Sequence, residues 1–162
     1  MTRLDSVIRR LQAQRDAIDY AVALIDKTAG PVLELGLGNG RTYDHLRYRF
    51  PRREIYAFDR QVAAHPDCIP AQPYLFLGDL TETLVQAKSR LRVPAALAHC
   101  DVGSGDEAAT RAVSIAIAPL LRPLLAPGAI VISDQPMTFK NAETLSLPET
   151  IPAARIFLWR ML

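Results

Sequence analysis

Short apolar runs alternate with helix-like segments along most of the chain, and this alternation constrains the fold more than any other feature. The runs predict five strands, at residues 32–35, 55–58, 74–77, 95–100 and 129–133. Nearly continuous apolar runs are typical of strands that are buried on both faces of a parallel sheet. Right-handed crossovers place the connecting helices above and below such a sheet. We therefore predict an α/β domain with a doubly wound, mostly parallel sheet and helices on both faces.

The segments between the runs carry helix signals. Residues 2–29 form a long amphipathic stretch whose apolar positions follow the helical spacing, namely Leu4, Val7, Ile8, Leu11, Ile18, Val22 and Ile25. Gly30 and Pro31 end that stretch. Further helices are predicted at 42–50, at 81–91 and from a cap at Asp106 to about residue 121. After residue 133 a proline-punctuated polar stretch leads to one closing strand at 156–159.

Length and composition indicate one globular domain. The chain has 162 residues, of which 49% are hydrophobic and 22% charged, so a single core is expected and the disordered classes are excluded. We divide it into an N-terminal helix at 1–29 as a candidate lid, a core at 32–134, and a C-terminal loop with the last strand at 135–162. No stretch reaches the ~20 apolar residues of a membrane span, and a cytoplasmic location is expected.

Charge and cysteine content point to no nucleic-acid partner, disulfide scaffold or zinc site. The formal net charge of +2 does not by itself predict a nucleic-acid partner. A basic cluster is interpreted as a solvated face, and it consists of Arg41, Arg47, Arg49, Arg52 and Arg53. Cys68 and Cys100 are far apart and lack a CxxC spacing, so neither a disulfide scaffold nor a zinc site is predicted.

A glycine-rich turn follows the first predicted strand. It reads Glu34-Leu35-Gly36-Leu37-Gly38-Asn39-Gly40, and its glycines permit positive φ and leave backbone N–H groups uncovered. The dinucleotide fingerprint would need a third glycine at Arg41, which disfavours a nicotinamide cofactor. A tight strand-to-helix turn that needs glycine for its geometry alone is the simpler alternative.

Acidic residues follow the next three strands. Asp59 comes about 20 residues after the glycine turn, where a carboxylate can accept both hydrogen bonds of a ribose diol. Arg60 follows it and either stacks on a base or is solvated. Asp79 ends the third run, between Gly78 and Leu80, and is also placed to cap the following helix. Asp101 ends the fourth run, whereas His99 and Cys100 before it are expected to be core residues.

This series of landmarks resembles the class I methyltransferases that use S-adenosylmethionine, from about residue 32 to residue 134. The resemblance implies that Gly36, Gly38, Asn39 and Gly40 hold the methionine part of the cofactor and that Glu34 supports the loop or reaches the amino group. Asp59 and Arg60 would then lie at the ribose and adenine edge, and Gly78, Asp79 and Leu80 at the adenine. Asp101 would lie where cofactor and substrate meet, as the candidate catalytic residue that orients the substrate or accepts its proton.

The resemblance implies a methyltransferase acting on an O or N nucleophile of a small-molecule acceptor, with S-adenosylhomocysteine as product. Because the part after the fifth strand looks short for this family, the alternative is an inactive cofactor-binding module that serves as a partner or sensor. A metal-dependent subgroup would place Mg²⁺ on Asp101, Asp134 and Gln135, a second hypothesis that we do not favour. The N-terminal helix is a further candidate, as a homodimer surface.

Overall fold

The computed structural model describes residues 1–103, 105–152 and 156–162, so Ser104 and residues 153–155 of the predicted C-terminal loop lie outside it. The described strands are β1 Val32–Leu35, β2 Ile55–Asp59, β3 Leu75–Leu77, β4 Ala95–Cys100, β5 Leu125–Ser133, β6 Ala142–Leu145 and β7 Phe157–Met161. The described α-helices are α1 Arg3–Leu24, α2 Arg41–Arg49, α3 Leu80–Arg90 and α4 Glu107–Leu121. Among these residues, no helix is both long enough and apolar enough to cross a membrane.

The described strands form one sheet of seven strands in the order β3-β2-β1-β4-β5-β7-β6. β1 pairs in parallel with β2 and β4, β2 with β3, and β4 with β5. The carboxyl ends of these five strands therefore lie at one edge of the sheet. The chain crosses from β3 to the other side of β1 to form β4, and ligands bind at such a switch point in open α/β sheets. The predicted α/β fold is confirmed.

The C-terminal part contains one strand more than the sequence predicts. β7 runs antiparallel to β5, and β6 runs antiparallel to β7 at the edge of the sheet. β6 was missed because its sequence, AETL, has no apolar run and its central residues are exposed, as an edge strand permits. The closing strand also begins one residue later than predicted and continues to Met161. The C-terminal part thus completes the sheet.

Two apolar layers cover the faces of the sheet. One includes Ile18 and Ile25 from the α1 segment and Leu46 from α2, and the other includes Leu84 from α3 and Ile117 from α4. The two helix pairs lie on opposite faces, as right-handed crossovers require. Cys100 is fully buried in the second layer, and burial raises the pKa of its thiol well above the ordinary value. Both cysteines are free thiols.

Helix α1 is buried only in its second half, unlike the continuous stripe that the sequence predicts. Leu4 is 68% exposed, and Val7 and Ile8 are also exposed. The buried positions are Ala13, Gln14, Ala17, Ile18 and Ala21. Small side chains at three of them let the helix backbone approach the sheet closely, so the predicted stripe overestimates the packed length.

Arg53 binds the end of the α1 segment, although the sequence predicts this residue on a solvated face. Its guanidinium donates hydrogen bonds to the carbonyl oxygens of Ile25, Thr28 and Gly30 at 2.8 to 3.0 Å. These carbonyls follow the last turn of α1, where a cation is favourable because of the helix dipole. Arg53 is therefore a capping residue for the end of this segment.

A buried acid–base pair joins the two central strands. Glu34 of β1 and His99 of β4 are register partners, both nearly inaccessible to solvent, and their Oε2 and Nδ1 atoms lie 2.7 Å apart. The Thr42 hydroxyl donates to the other oxygen of Glu34. Burial lowers the pKa of His99, whereas the charge and hydrogen bond of Glu34 raise it, with smaller contributions from Asp101 and Asp134. The upward effects together exceed the effect of burial, so the pKa of His99 is raised.

We expect strong energetic coupling between Glu34 and His99. H99L leaves a buried carboxylate without its hydrogen-bonding partner and should lower the free energy of unfolding by about 3–5 kcal/mol. The E34L/H99L double variant removes both groups and should lose clearly less than the sum of the two single variants. Denaturant unfolding followed by circular dichroism measures all four free energies, with H65L at an exposed histidine as control. Additive losses would contradict the coupling.

Candidate active-site cleft

A cleft of about 670 Å³ opens at the carboxyl edge of the sheet, where the switch point predicts a ligand site. The β1–α2 turn forms its floor, and the ends of β2, β3 and β4 form one side. Helices α1 and α4 complete the wall. Among the residues predicted to form the site, those that line the cleft are Gly36, Gly38, Asn39, Asp59, Arg60, Asp79, Leu80 and Asp101.

Two glycines of the turn are needed for different reasons. At Gly36, with φ at +92°, a Cβ atom would lie 2.0 Å from the carbonyl oxygen of Asp101, so the two chain segments can approach only without a side chain. At Gly38, with φ at +51°, no described atom lies within 4 Å of the Cβ position. Packing requires the first glycine, whereas the second leaves open space in the cleft wall. Positive φ alone accounts for glycine at both positions, and the space at Gly38 is in addition open to a ligand.

Three predicted site residues lie outside the cleft lining. Glu34 is buried in the pair with His99 and is bonded through Thr42 to the first turn of α2, directly after the glycine turn. Gly40 precedes α2, and its Cβ position would meet the Cβ of Cys68 at 2.4 Å. Gly78 has φ at +141° and donates its N–H to the carbonyl oxygen of Asp59 at 3.0 Å. All three support the residues that line the cleft.

The carboxylates after β2 and β3 hold structural hydrogen bonds at the cleft. Asp59 Oδ2 accepts from the Gly38 N–H at 2.8 Å, which ties the end of β2 to the glycine turn. Asp79 caps α3 by accepting from the backbone N–H and hydroxyl of Thr81, and these bonds lower the pKa of Asp79. Arg60 lies 3.4 Å from Asp79. The predicted cap at Asp79 is confirmed, and its side chain also lines the cleft.

Asp101 lies between the glycine turn and α1. Its side chain is 24% exposed, and its Oδ2 accepts a hydrogen bond of 2.8 Å from the amide nitrogen of Gln14. Arg10 lies one turn earlier on α1, with Nη1 3.9 Å from the other carboxylate oxygen. A carboxylate that is held in place and partly open to the cleft can orient a bound nucleophile and accept its proton.

The three predicted magnesium ligands do not form a matching oxygen set. Asp134 Oδ2 lies 3.3 Å from the amide nitrogen of Gln135, so Gln135 presents a donor there instead of its oxygen. The other oxygen of Asp134 accepts from the Val102 N–H at 3.4 Å. Burial and the charge of Asp101 raise the pKa of Asp134. Within the described residues no group of three His, Cys, Asp or Glu is placed to hold a metal ion.

The part of the lining that helices α1 and α4 supply was not predicted from the sequence. From α1 and α4 these residues are Arg10, Leu11, Gln14, Ala109, Ala112, Val113, Ala116 and Ile117. The only available signal was Gln14, a polar side chain three residues after Leu11 and four before Ile18, on the apolar stripe of α1. Small residues on α4 leave room at the cleft wall, a role that their helical spacing does not reveal.

The cleft offers the kinds of groups that a nucleoside-containing cofactor such as S-adenosylmethionine needs. The open space at Gly38 lets a ligand approach the backbone of the turn, and Asp59 and Asp79 offer acceptors to the hydroxyls and amine of a nucleoside. Leu80 supplies apolar surface beside Asp79, and the α4 side chains supply more across the cleft. Acceptor groups that follow neighbouring strands, together with one apolar wall, are typical of a nucleoside site.

Comparison with known proteins gives the same assignment. A sequence profile of the S-adenosyl-L-methionine methyltransferase family matches residues 1–161. The crystal structure of an S-adenosyl-L-methionine methyltransferase from Silicibacter pomeroyi DSS-3 is 41% identical, with a TM-score of 0.93 over 100% of this chain and 99% of that one. No match was found among proteins of curated function.

More distant solved structures share the fold. The TDP-rhamnose 3'-O-methyltransferase of calicheamicin biosynthesis is 18% identical, with a TM-score of 0.63 over 90% of this chain and 78% of that one. A sugar N-methyltransferase from Streptoalloteichus sp. ATCC 53650 is 19% identical, with a TM-score of 0.55 over 83% and 55% of the two chains. The match over nearly the whole length shows that this chain belongs to the S-adenosyl-L-methionine methyltransferase family.

Proposed function

We propose that the protein transfers a methyl group from S-adenosylmethionine to an oxygen or nitrogen nucleophile of a small-molecule acceptor. The observation that carries this proposal is the position of Asp101. Asp101 follows β4 and lines the same cleft as the glycine turn, and its main chain packs so closely on Gly36 that a side chain at Gly36 would clash with it. A candidate base thus lies beside the proposed cofactor site.

The residues proposed for the cofactor follow the order of the strands. Gly36, Gly38 and Asn39 would bind the methionine part, with Gly40 shaping the turn and Glu34 supporting it from below. Asp59 would accept from the ribose hydroxyls. The adenine would lie at the end of β3, where it would contact Arg60, Gly78, Asp79 and Leu80.

Few catalytic groups are needed for this reaction. The bound cofactor supplies a methyl group that its sulfonium already activates for displacement. The chain contributes alignment, because groups fixed by the strands and the turn hold both reactants in line, and the walls from α1 and α4 limit access of water. Asp101 would orient the nucleophile and take up the proton that it releases. Helix α1 is the proposed lid.

The size of the cleft and the internal pairing of most arginines in the basic cluster support a small acceptor. The volume of about 670 Å³ is within the ordinary range of small-molecule sites. Most of the basic cluster is engaged within the chain. Arg47 pairs with Asp44 and Arg49 with Asp19, while Arg53 caps the α1 segment. Such arginines are poorly placed to follow a phosphate backbone.

The inactive-module alternative has lost its motivation, because two C-terminal strands complete the sheet where a shortened end was expected.

Binding and turnover separate the two functions. We expect S-adenosylmethionine and S-adenosylhomocysteine, but not NAD or NADP, to raise the thermal midpoint, since a ligand at ~100 times its Kd stabilises by about 2.7 kcal/mol. A shift with NAD alone would refute the proposed cofactor.

The acceptor is then sought by following S-adenosylhomocysteine formation. Nucleotide-linked and other sugars are the first acceptors to test, because the two distant structures described above are a TDP-rhamnose 3'-O-methyltransferase and a sugar N-methyltransferase. Parallel assays with EDTA and with added Mg²⁺ test the metal hypothesis. We expect turnover to persist in EDTA. A requirement for Mg²⁺ would instead support the hypothesis of a metal-dependent enzyme.

A methyl group at Gly38 should obstruct the cofactor, and the backbone strain of alanine at positive φ is matched in the control variant. In G38A the new side chain occupies the open space of the cleft wall, so the Kd for S-adenosylmethionine should rise at least about tenfold, equivalent to ~1.4 kcal/mol. Calorimetry measures the Kd. G105A is the matched control, because Gly105 also has positive φ and no described atom within 4 Å of its Cβ position but lies outside the cleft lining. Equal affinity of wild type and G38A for S-adenosylmethionine would refute the proposed place of Gly38 in the cofactor site.

Removing the charge of Asp101 should slow methyl transfer more than it weakens cofactor binding. In D101N the amide oxygen can still accept from Gln14, but the group no longer takes up a proton, so kcat should fall by about 10²–10⁴. Steady-state kinetics on the acceptor found above measures this loss, and D67N at an exposed site is the control. An unchanged kcat would remove Asp101 from the mechanism.

A further inference from the structure

Gln14 is the polar member of the buried face of α1. Its side chain is 1% exposed and lies among Ala13, Ala17 and Ile18. It also lines the cleft. A long polar side chain on the buried face of an amphipathic helix loses rotamer freedom and solvation, so its presence needs a reason.

Packing and hydrogen bonding do not supply that reason. The amide nitrogen of Gln14 donates to Asp101 Oδ2, but its amide oxygen is buried and accepts no hydrogen bond from the described residues. A buried acceptor without a donor lowers the stability of the fold. An apolar side chain of similar length, such as methionine, would fill the same space without this cost. Stability alone would therefore not select glutamine here.

What Gln14 does provide is a fixed, neutral donor to Asp101. The backbone N–H of Asp101 donates to Leu35 at 2.9 Å, which fixes the main chain at the end of β4 but leaves the carboxylate free to rotate. The bond from Gln14 removes that freedom. Because the donor is uncharged, it orients one oxygen without pairing the carboxylate with a buried cation.

The second oxygen of Asp101 stays available to the cleft. Arg10 Nη1 is 3.9 Å from Oδ1, which is beyond hydrogen-bonding distance, and the Arg10 side chain is half exposed, so water screens this pair. Within the described part of the chain no donor is hydrogen-bonded to Oδ1. An O–H or N–H of an acceptor can therefore bind at that oxygen.

We infer that Gln14 is a positioning residue, which holds the Asp101 carboxylate by one oxygen so that the other faces the nucleophile of the methyl acceptor. This inference rests on the proposed role of Asp101. It makes α1 a part of the reaction centre as well as a cover, because the helix supplies the group that orients the base.

The test compares Q14M, which keeps the size and removes the donor, with Q12M at an exposed position of the same helix. We expect the denaturation midpoint of Q14M to equal or exceed that of the wild type, since a buried unpartnered oxygen is removed. The Kd for S-adenosylmethionine should stay within about threefold. With the acceptor found above, kcat should fall by about 10- to 100-fold and KM should change less, as expected for a misplaced reacting group. Q12M should match the wild type in all three measurements.

A crystal structure of Q14M decides the inference even if no acceptor is found. We expect the Asp101 carboxylate to adopt a different rotamer or to be distributed over several. A carboxylate that keeps its wild-type position would overturn the inference, and so would a clearly lower midpoint, which would mean that Gln14 serves the fold. These results are distinct from a failure of the proposed function, which would show as a wild-type protein that does not bind S-adenosylmethionine.

Discussion

The site depends on the parallel pairing of β1 with β2 on one side and with β4 on the other. In parallel pairing the carboxyl ends of neighbouring strands lie at the same edge, so the residues that follow each strand meet. This pairing brings Asp59, Asp101 and the glycine turn to the same edge. The buried pair of Glu34 and His99 further fixes the register of β1 against β4. Removal of either partner alone should lower the stability of the fold.

The three acidic side chains that line the cleft each have a structural hydrogen bond as well as a proposed role. Asp59 accepts from the glycine turn, Asp79 caps α3 and Asp101 accepts from Gln14. These bonds orient the carboxylates before a ligand binds, and groups that are already oriented need no reorganisation during the reaction. The two interpretations offered for such residues from sequence, structural and functional, are therefore compatible. Asp134 differs, because its oxygens accept from Val102 and Gln135 and it does not line the cleft.

Helix α1 shows how a site can take precedence over packing. Its buried face carries alanines that allow close approach to the sheet, and among them stands a glutamine with an unpartnered oxygen. Arg53 holds the far end of this segment through three carbonyl oxygens. The helix is thus fixed at one end by a cap and tied near the cleft to Asp101. Its first turns, which carry Leu4, Val7 and Ile8, remain exposed.

The sequence by itself determined the five parallel strands, their helices and the residues that follow each strand, because apolar runs and turn residues are local signals. It therefore predicted the cleft edge and most of its acidic and glycine residues. Only the tertiary structure decided which groups pair across it. β6 is an edge strand with no apolar pattern, Arg53 caps a helix that ends 29 residues earlier, and Gln14 reaches Asp101 across 87 residues of sequence. Such contacts depend on how the elements pack, and no local pattern in the sequence records them.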